Sequence, residues 1–249
     1  MPQRAAPSTT KEVSIMAISG NIFKSANEAK ASSGSDDIVG QFRAGFQDER
    51  GRPVGLTSWR ATTGDPTVAD RLHELLGATD EITEWETKTD QNLQVFGNRE
   101  SIDIILDGPG SIRSSMVLWS QKGGKIIETD GEYVIENGVV TDKPDPDAML
   151  PLAERKEKAR NGTGPSPSLQ VYFRLADAPE LGKFKSFSSS WTAIENYGEA
   201  ESQLAAFDGP VRATFTIDQV SWNDRETGQE KSYQRPQIEV IGSLNPVAA

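Results

Sequence analysis

Apolar and polar residues alternate most regularly near the C-terminus. Within residues 211–222, apolar side chains occupy every second position from 211 to 217, which is the spacing of a half-buried β-strand. These apolar positions are Val211, Ala213, Phe215 and Ile217. A turn-forming stretch follows at residues 223–228, and residues 231–241 can return as the partner strand. Pro236 has no backbone N–H, so we expect this second strand of the hairpin at a sheet edge or a bulge.

Shorter alternating runs predict further strands. In residues 101–106, the side chains of Ile102, Ile104 and Leu106 share one face. The other predicted strands are residues 92–96, 114–120, 168–175 and 183–191, and weaker signals lie at residues 38–46 and 56–59. We therefore expect an α+β fold, with a mainly antiparallel β-sheet and two or three helices packed on it.

Helical spacing is clearest after Asp65, which can cap a helix whose first residue is Pro66. Apolar residues then recur at helical intervals until Gly77, a typical end signal. These residues are Val68, Leu72, Leu75 and Leu76. A second helix is predicted at residues 192–207, and a short one of mixed charge at residues 153–160. The second helix offers Ile194, Tyr197, Leu204 and Phe207 for burial.

The chain divides into a tail and a core by composition. Residues 1–36 are rich in Ala, Ser, Thr, Lys and Gly, and predict a flexible, disordered N-terminal tail. Residues 37–249 predict a β-rich core domain. Residues 128–167 are polar and punctuated by prolines, so they predict a polar insertion or a mobile excursion from that core.

The charge balance bears on the class of partner. The 249 residues include 37 acidic and 26 basic side chains, a formal net charge of -11. Such a chain is poorly suited to bind DNA on its own, because phosphate neutralisation needs a basic face. An acidic protein can still dock onto a basic, DNA-bound partner. The sequence has no cysteine, no signal peptide and no apolar run long enough for a membrane helix, so we expect a cytoplasmic protein.

Candidate chemistry is sparse. His73 is the only histidine, and we interpret it as a partly exposed helical residue. Asp142, Asp145 and Asp147 lack the spacing of a calcium loop and are interpreted as a solvated acidic loop. Glu84 and Glu86 could form a carboxylate pair, although a solvent-facing strand edge is the simpler interpretation. We predict no catalytic residue, metal site or cofactor. A metal-dependent enzyme would need a carboxylate cluster that the sequence does not assemble.

Two features leave nucleic-acid binding open. One is a basic patch on the short predicted helix, where a solvated helix face is the simpler interpretation; it comprises Arg155, Lys156, Lys158 and Arg160. The other is a group of aromatic residues near Lys183 and Lys185 that could stack bases, although core packing is the simpler interpretation. These aromatic residues are Phe173, Phe184, Phe187, Trp191, Trp222 and Tyr233. They support an alternative function as a single-stranded DNA-binding accessory protein of phage replication or recombination.

Several blocks rich in Gly, Pro, Asp and bulky apolar residues occur in a fixed order. They are GQFRAG (residues 40–45), WRATTGDP (59–66), EWE (84–86), ILDGP (105–109), MVLW (116–119), FRLAD (173–177) and PELG (179–182). In these blocks the chain resembles the recombination directionality factors of actinobacterial temperate phages that use large serine integrases. The resemblance covers most of residues 38–242.

The resemblance implies a regulator without catalytic residues. A factor of this family binds its cognate large serine integrase on attachment-site DNA, activates excision (attL × attR) and inhibits integration (attP × attB). It implies a protein of the bacterial host's cytoplasm with little or no DNA binding of its own. Relatives carry several cysteines between residues 119 and 173, where this chain has none. Any metal site that relatives form with these cysteines is therefore lost in this chain.

The sequence also suggests where a partner would bind. Trp and Arg dominate the hot spots of protein interfaces. We therefore predict partner contacts at a chain corner formed by Trp59 and Arg60, and in a loop at residues 178–187. The candidate partner-binding residues are Trp59, Arg60, Glu180, Lys183, Phe184, Lys185 and Phe187. The alternative, that these residues shape the core, stays open at this point.

Overall fold

The computed structural model describes residues 37–48, 50–223 and 228–244. Within them the chain forms 13 strands and three α-helices. The first strands are β1 (Ile38–Gln47), β2 (Pro53–Thr63), β3 (Thr83–Glu84), β4 (Leu93–Phe96), β5 (Ser101–Leu106), β6 (Ile112–Trp119) and β7 (Lys125–Thr129). They are followed by β8 (Tyr133–Glu136), β9 (Val139–Pro144), β10 (Ser166–Leu175), β11 (Lys183–Ser188), β12 (Val211–Asn223) and β13 (Glu230–Ser243). The helices are α1 (Pro66–Leu75), α2 (Leu152–Arg160) and α3 (Ile194–Leu204). The tail predicted at residues 1–36 lies outside the described residues.

The strands form one branched, mainly antiparallel sheet. Its main path has the order β3-β4-β2-β1-β11-β10-β6-β7-β8-β9. Strands β1 and β11 run parallel, whereas the other described pairs are antiparallel. With three helices added, this arrangement confirms the predicted α+β class.

Strand β10 connects the main path to a second layer. Its first part pairs with β6, whereas Arg174 and Leu175 pair with β5. Strand β5 pairs with β12, and β12 pairs with β13. This branch brings Phe215 of β12 onto Trp59 of β2, with their ring centroids 4.5 Å apart. The Nε1–H of Trp59 donates to the backbone oxygen of Phe215 at 3.2 Å, so the indole joins the two layers.

Five aromatic side chains fill the space between the layers. All five are fully buried: Phe42, Trp59, Phe173, Phe184 and Phe215. The ring of Phe42 lies 5.3 Å from those of both Phe173 and Phe184, in edge-to-face geometry. Such pairs contribute about 0.5–1.5 kcal/mol each beyond the area that they bury. The centre of the core therefore lies under β1, β2, β10 and β11.

The predicted C-terminal hairpin is confirmed as β12 and β13. The alternating apolar residues of β12 are all buried: Val211, Ala213, Phe215 and Ile217. Among the described strands, β13 pairs with β12 alone, so it is an edge strand. Pro236 lies in this edge strand opposite Ile217, which agrees with the expectation from its missing N–H.

Helix α1 begins and ends where the sequence predicted. The side chain of Asp65 accepts a hydrogen bond from the backbone N–H of Thr67 at 2.8 Å, and Pro66 occupies the first turn. Gly77 follows the helix with φ +60°, a conformation that glycine adopts without a steric cost. Val68 and Leu72 are buried against the sheet. Both the capping prediction and the buried face are confirmed.

We expect Asp65→Ala to lower the free energy of unfolding by about 1 kcal/mol, because the variant loses the N-cap hydrogen bond. Urea unfolding followed by circular dichroism measures this change. Asp70→Ala is the control, because Asp70 is exposed in the same helix and should change stability by less than about 0.5 kcal/mol. Equal losses for both variants would contradict a capping role.

Helix α3 is confirmed within the predicted residues 192–207. It buries Ile194, Tyr197 and Leu204, and Phe207 packs partly against the core just after the helix ends. No helix in the described part of the chain is long and apolar enough to cross a membrane.

Residues 128–167, predicted as a polar insertion, contain β8, β9 and α2, which extend one end of the sheet. The predicted solvated loop is wrong for Asp145 and Asp147, which are only 4% and 5% exposed. The hydroxyl of Thr129 donates to Oδ2 of Asp145 at 2.9 Å, and Lys158 forms an ion pair with Asp147. Asp142 is exposed. Across the described ranges, no group of three or more His, Asp or Glu side chains could hold a metal ion.

Helix α2 supplies the cations that make this burial possible. Nη1 of Arg155 lies 3.8 Å from Oδ2 of Asp145, and Nη2 donates to the backbone oxygen of Gly131 at 2.8 Å. The predicted solvated basic face is therefore wrong for Arg155, which is buried. Lys156 lies over the ring of Trp191 at 5.9 Å. The basic patch thus contributes to internal packing.

Candidate partner-binding surface

The sheet has a polar outer face opposite the aromatic core. In β1, Phe42 points into the core, so Arg43 on the next position points outward. Arg43 lies opposite Arg60 of β2, and Arg60 lies opposite Phe96 of β4. We call the following set the arginine–aromatic surface: Arg43, Arg60, Trp85, Phe96, Lys185 and Phe187.

Strand β11 continues this surface on the other side of β1. Phe184 and Ser186 are buried, whereas the alternate positions Lys185 and Phe187 point outward. Phe187 is 48% exposed. The parallel β1–β11 pairing therefore places residues from distant parts of the chain on one face.

The Trp85 indole covers the two arginines. It follows β3 and is held in place by its own Nε1–H, which donates to the backbone oxygen of Gln91 at 2.8 Å. The Cζ atoms of Arg60 and Arg43 lie 4.7 and 5.4 Å from its ring centroid. Arg60 is also 5.5 Å from the ring of Phe96. Each such contact is worth about 0.5–2 kcal/mol, depending on how far the cation is desolvated.

Neutral amides, not carboxylates, accept hydrogen bonds from these guanidinium groups. Nε and Nη2 of Arg60 donate to Oε1 of Gln94 at 2.9 and 2.6 Å. Nη2 of Arg43 donates to Oε1 of Gln41 at 2.8 Å, while its buried Nε has no partner in the described structure. Neither arginine forms an ion pair within the described residues. Their charges therefore have no carboxylate partner among these residues and are balanced only by rings and neutral amides.

Burial lowers the pKa of both arginines. For Arg60 the pKa falls to about 10, because burial disfavours the charged form and the charge of Arg43 adds to this effect. The pKa of Arg43 is lowered by burial alone. Because the folded pKa of Arg60 lies below its unfolded value, its charge opposes folding at all pH values below about 10. That opposition is relieved as the pH rises through the folded pKa.

Other cations flank this surface. Arg113 lies over the ring of Tyr172 at 4.8 Å. Arg174 and Lys183 both lie near Asp107, with N–O distances of 2.5 and 3.8 Å. These cations share the outer face with Arg43 and Arg60, and Asp107 balances part of the charge of Arg174 and Lys183.

The structure divides the predicted partner-binding residues into two groups. Lys183, Lys185 and Phe187 lie on the outer face of the sheet and are reachable from solvent. Arg60 belongs to the same face but is only 4% exposed beneath Trp85. Trp59 and Phe184 are fully buried, so their side chains shape the core and cannot contact a partner in this conformation. Glu180 is exposed in the short 3₁₀ turn Pro179–Leu181 that leads into β11. The partner-binding role itself stays a prediction.

The sequence did not identify Arg43 as a site residue. Around Trp85, the sequence patterns drew attention only to the carboxylates of Glu84 and Glu86. The available signal was the alternation of Gln41 and Arg43 with the buried Phe42, which marks a polar strand face. The opposition of Arg43 and Arg60 depends on strand register, which no local pattern specifies. Glu84 and Glu86 are exposed, as the simpler interpretation predicted.

The aromatic stacking platform suggested by the sequence is wrong in two members. Phe173 and Phe184 are fully buried and cannot stack on bases. Trp191 and Tyr233 are half-buried, and the side chain of Trp222 lies outside what the structure describes. His73 is partly exposed, as predicted, and its Nε2 lies 2.8 Å from the backbone oxygen of Asp80.

Comparison with known protein families identifies the family to which most of the chain is similar. The model of the Gp3-like family, described as recombination directionality factor-like, matches residues 39–240. The match begins in β1 and ends in β13, so it spans nearly the whole described fold. No solved structure matches the chain significantly.

Proposed function

Because this chain belongs to the Gp3-like family of recombination directionality factor-like proteins, we propose that it binds a large serine integrase and sets the direction of recombination. Bound to the integrase on attachment-site DNA, it activates the attL × attR reaction that excises a prophage. It also inhibits the attP × attB reaction that integrates one. The factor itself is not an enzyme, because the integrase supplies the catalytic serine.

The extent of the family match carries this proposal. It reaches from β1 to β13 and so includes β1 and β2, the strands that carry Arg43 and Arg60. Membership of the family makes a recombination accessory role the starting point, and an integrase is the partner that such a role requires. The specific class of integrase follows from the resemblance of the sequence blocks at residues 40–45, 59–66 and 105–109.

The arginine–aromatic surface is the interface that we propose for the integrase. It combines arginine and tryptophan, the residue types that dominate hot spots in protein interfaces. The guanidinium group of Arg60 is already desolvated and that of Arg43 is partly so, and therefore binding costs less further desolvation than it would for fully hydrated cations. Lys185 and the exposed Phe187 extend the contact area across β11.

One observation favours a second candidate function, single-stranded DNA binding. Aromatic rings and cations lie together on the outer face, which is the combination used by proteins that stack bases and follow a phosphate backbone. The net charge of -11 and the depth of Arg60 beneath Trp85 weigh against it. We therefore rank it below integrase binding.

Two titrations separate these functions. The purified protein is titrated onto immobilised cognate integrase without DNA, and separately with a fluorescently labelled single-stranded oligonucleotide. We expect saturable binding to the integrase and no salt-dependent response to the oligonucleotide. Oligonucleotide binding that weakens steeply with salt, without integrase binding, would contradict the proposed function and support the second.

A further inference from the structure

We propose that Arg43 and Arg60 form a receptor for a carboxylate group of the partner protein. The occupant is an Asp or Glu side chain that approaches the outer face beside Trp85. This inference rests on the proposed function, because it assigns the chemistry by which the integrase is recognised.

The first argument is the charge that the fold leaves unbalanced. Arg43 and Arg60 lie directly opposite each other on neighbouring strands, a position at which like charges are destabilising. Arg60 is 4% exposed, and neither group has a carboxylate partner among the described residues. In contrast, the buried Arg155 is placed beside Asp145. A pair of like charges that is held by rings and amides, with no carboxylate beside it, is a local conflict of the kind that is typical of a functional site.

The second argument is the geometry of the donors. The planar guanidinium group binds a carboxylate through two parallel N–H donors, a match that lysine does not provide. Gln41 and Gln94 hold one edge of each guanidinium group in place. Arg43 is half-buried and reachable from solvent, while the deeper Arg60 adds its charge from behind. An incoming carboxylate would thus meet an oriented donor on Arg43, with the second positive charge of Arg60 on the neighbouring strand.

The third argument favours a carboxylate over the phosphates of DNA. A phosphate backbone is bound by a row of exposed cations that follows the strand. Here Arg60 is covered by Trp85 and Phe96, and Lys183 and Arg174 are already near Asp107. The remaining site is compact and suits one anionic side chain. A chain with a net charge of -11 is also repelled by DNA at long range. A basic partner that binds both the DNA and this chain overcomes that repulsion.

The proposal predicts a loss of integrase binding in variants that keep the fold. Replacing either arginine with methionine keeps the length of the side chain and removes the charge, together with the hydrogen bonds to the neighbouring glutamine and the contact with Trp85. We expect Arg43→Met and Arg60→Met to weaken integrase binding at least tenfold, at a temperature where circular dichroism shows both variants folded. Arg43→Met gives up a single hydrogen bond to Gln41, so it carries the test if Arg60→Met is unstable.

The control variant is Arg212→Met, which removes the same charge from β12, where Arg212 forms an exposed ion pair with Asp103 of β5. Affinity for immobilised cognate integrase is measured without DNA for the wild type and all three variants. We expect Arg212→Met to remain within about twofold of the wild type, as is usual for an exposed pair. Unchanged integrase affinity in both Arg43→Met and Arg60→Met, with the wild type binding, would overturn the proposal. A wild type that does not bind would instead overturn the proposed function.

Oligonucleotide titrations with the same proteins test the phosphate alternative. We expect no oligonucleotide binding by the wild type that is lost in Arg43→Met or Arg60→Met. Loss of oligonucleotide affinity in these variants, with integrase affinity kept, would overturn the carboxylate assignment and identify the site as a phosphate receptor.

Discussion

Trp59→Ala should lower the free energy of unfolding by about 3–5 kcal/mol, as large aromatic truncations in well-packed cores do. The indole is fully buried, packs 4.5 Å from Phe215 and donates its N–H to the backbone of the second layer. Its removal therefore loses packing, a hydrogen bond and the contact between layers. For a domain of this size we expect the melting temperature to fall by about 10 °C, measured by differential scanning calorimetry.

Trp119→Ala is the matched control, because Trp119 is about half exposed at the end of β6. We expect this variant to change stability by less than about 1 kcal/mol. If Trp59→Ala kept its stability and lost only partner binding, the core assignment of Trp59 would be wrong. The original prediction that Trp59 contacts a partner would then be restored.

Arg155→Met should lower the free energy of unfolding by about 3–5 kcal/mol, because it leaves the buried carboxylate of Asp145 without its cation. The same change removes the hydrogen bond to the backbone oxygen of Gly131. These contacts connect α2 to the β7–β9 end of the sheet. Urea unfolding measures the loss, and hydrogen exchange should show it first in residues 128–167.

Arg212→Met again serves as the control for Arg155→Met, because it removes an arginine from an exposed pair rather than a buried one. We expect a change of less than about 1 kcal/mol. Equal effects of the two variants would mean that the buried network does not stabilise this end of the fold.

Local sequence patterns were sufficient to predict a strand with one buried face and a helix with a capping residue. The alternation of Val211, Ala213 and Phe215 predicted β12, and Asp65 with Pro66 predicted the start of α1. In both cases the signal lies within a few residues, because strand alternation and helix capping are local effects. The fold class followed from these elements.

Patterns failed where burial depends on partners far along the chain. Asp145 and Asp147 look solvated in a polar, proline-rich sequence, yet Arg155 and Lys158 allow them to be buried. The arginine–aromatic surface depends on the pairing of β1 with β11, more than 130 residues away in the sequence. No local periodicity specifies such register, and so the juxtaposition of Arg43 with Arg60 was not predicted.

The two arginine environments show how burial can serve different purposes in one chain. Arg155 is paired with Asp145 and stabilises the end of the sheet. Arg43 and Arg60 are held by neutral amides and repel each other. Proteins retain such costs where activity requires them. This contrast is the reason that we propose the outer face of β1 and β2 as the partner interface.

A recombination assay tests the central claim most directly. Purified protein is added to its cognate integrase with attL × attR substrates, and in parallel with attP × attB substrates. We predict that the hybrid-site reaction appears only with the factor present and that the integration reaction is inhibited. If the folded protein changes neither reaction while the integrase alone integrates normally, the directionality role is contradicted.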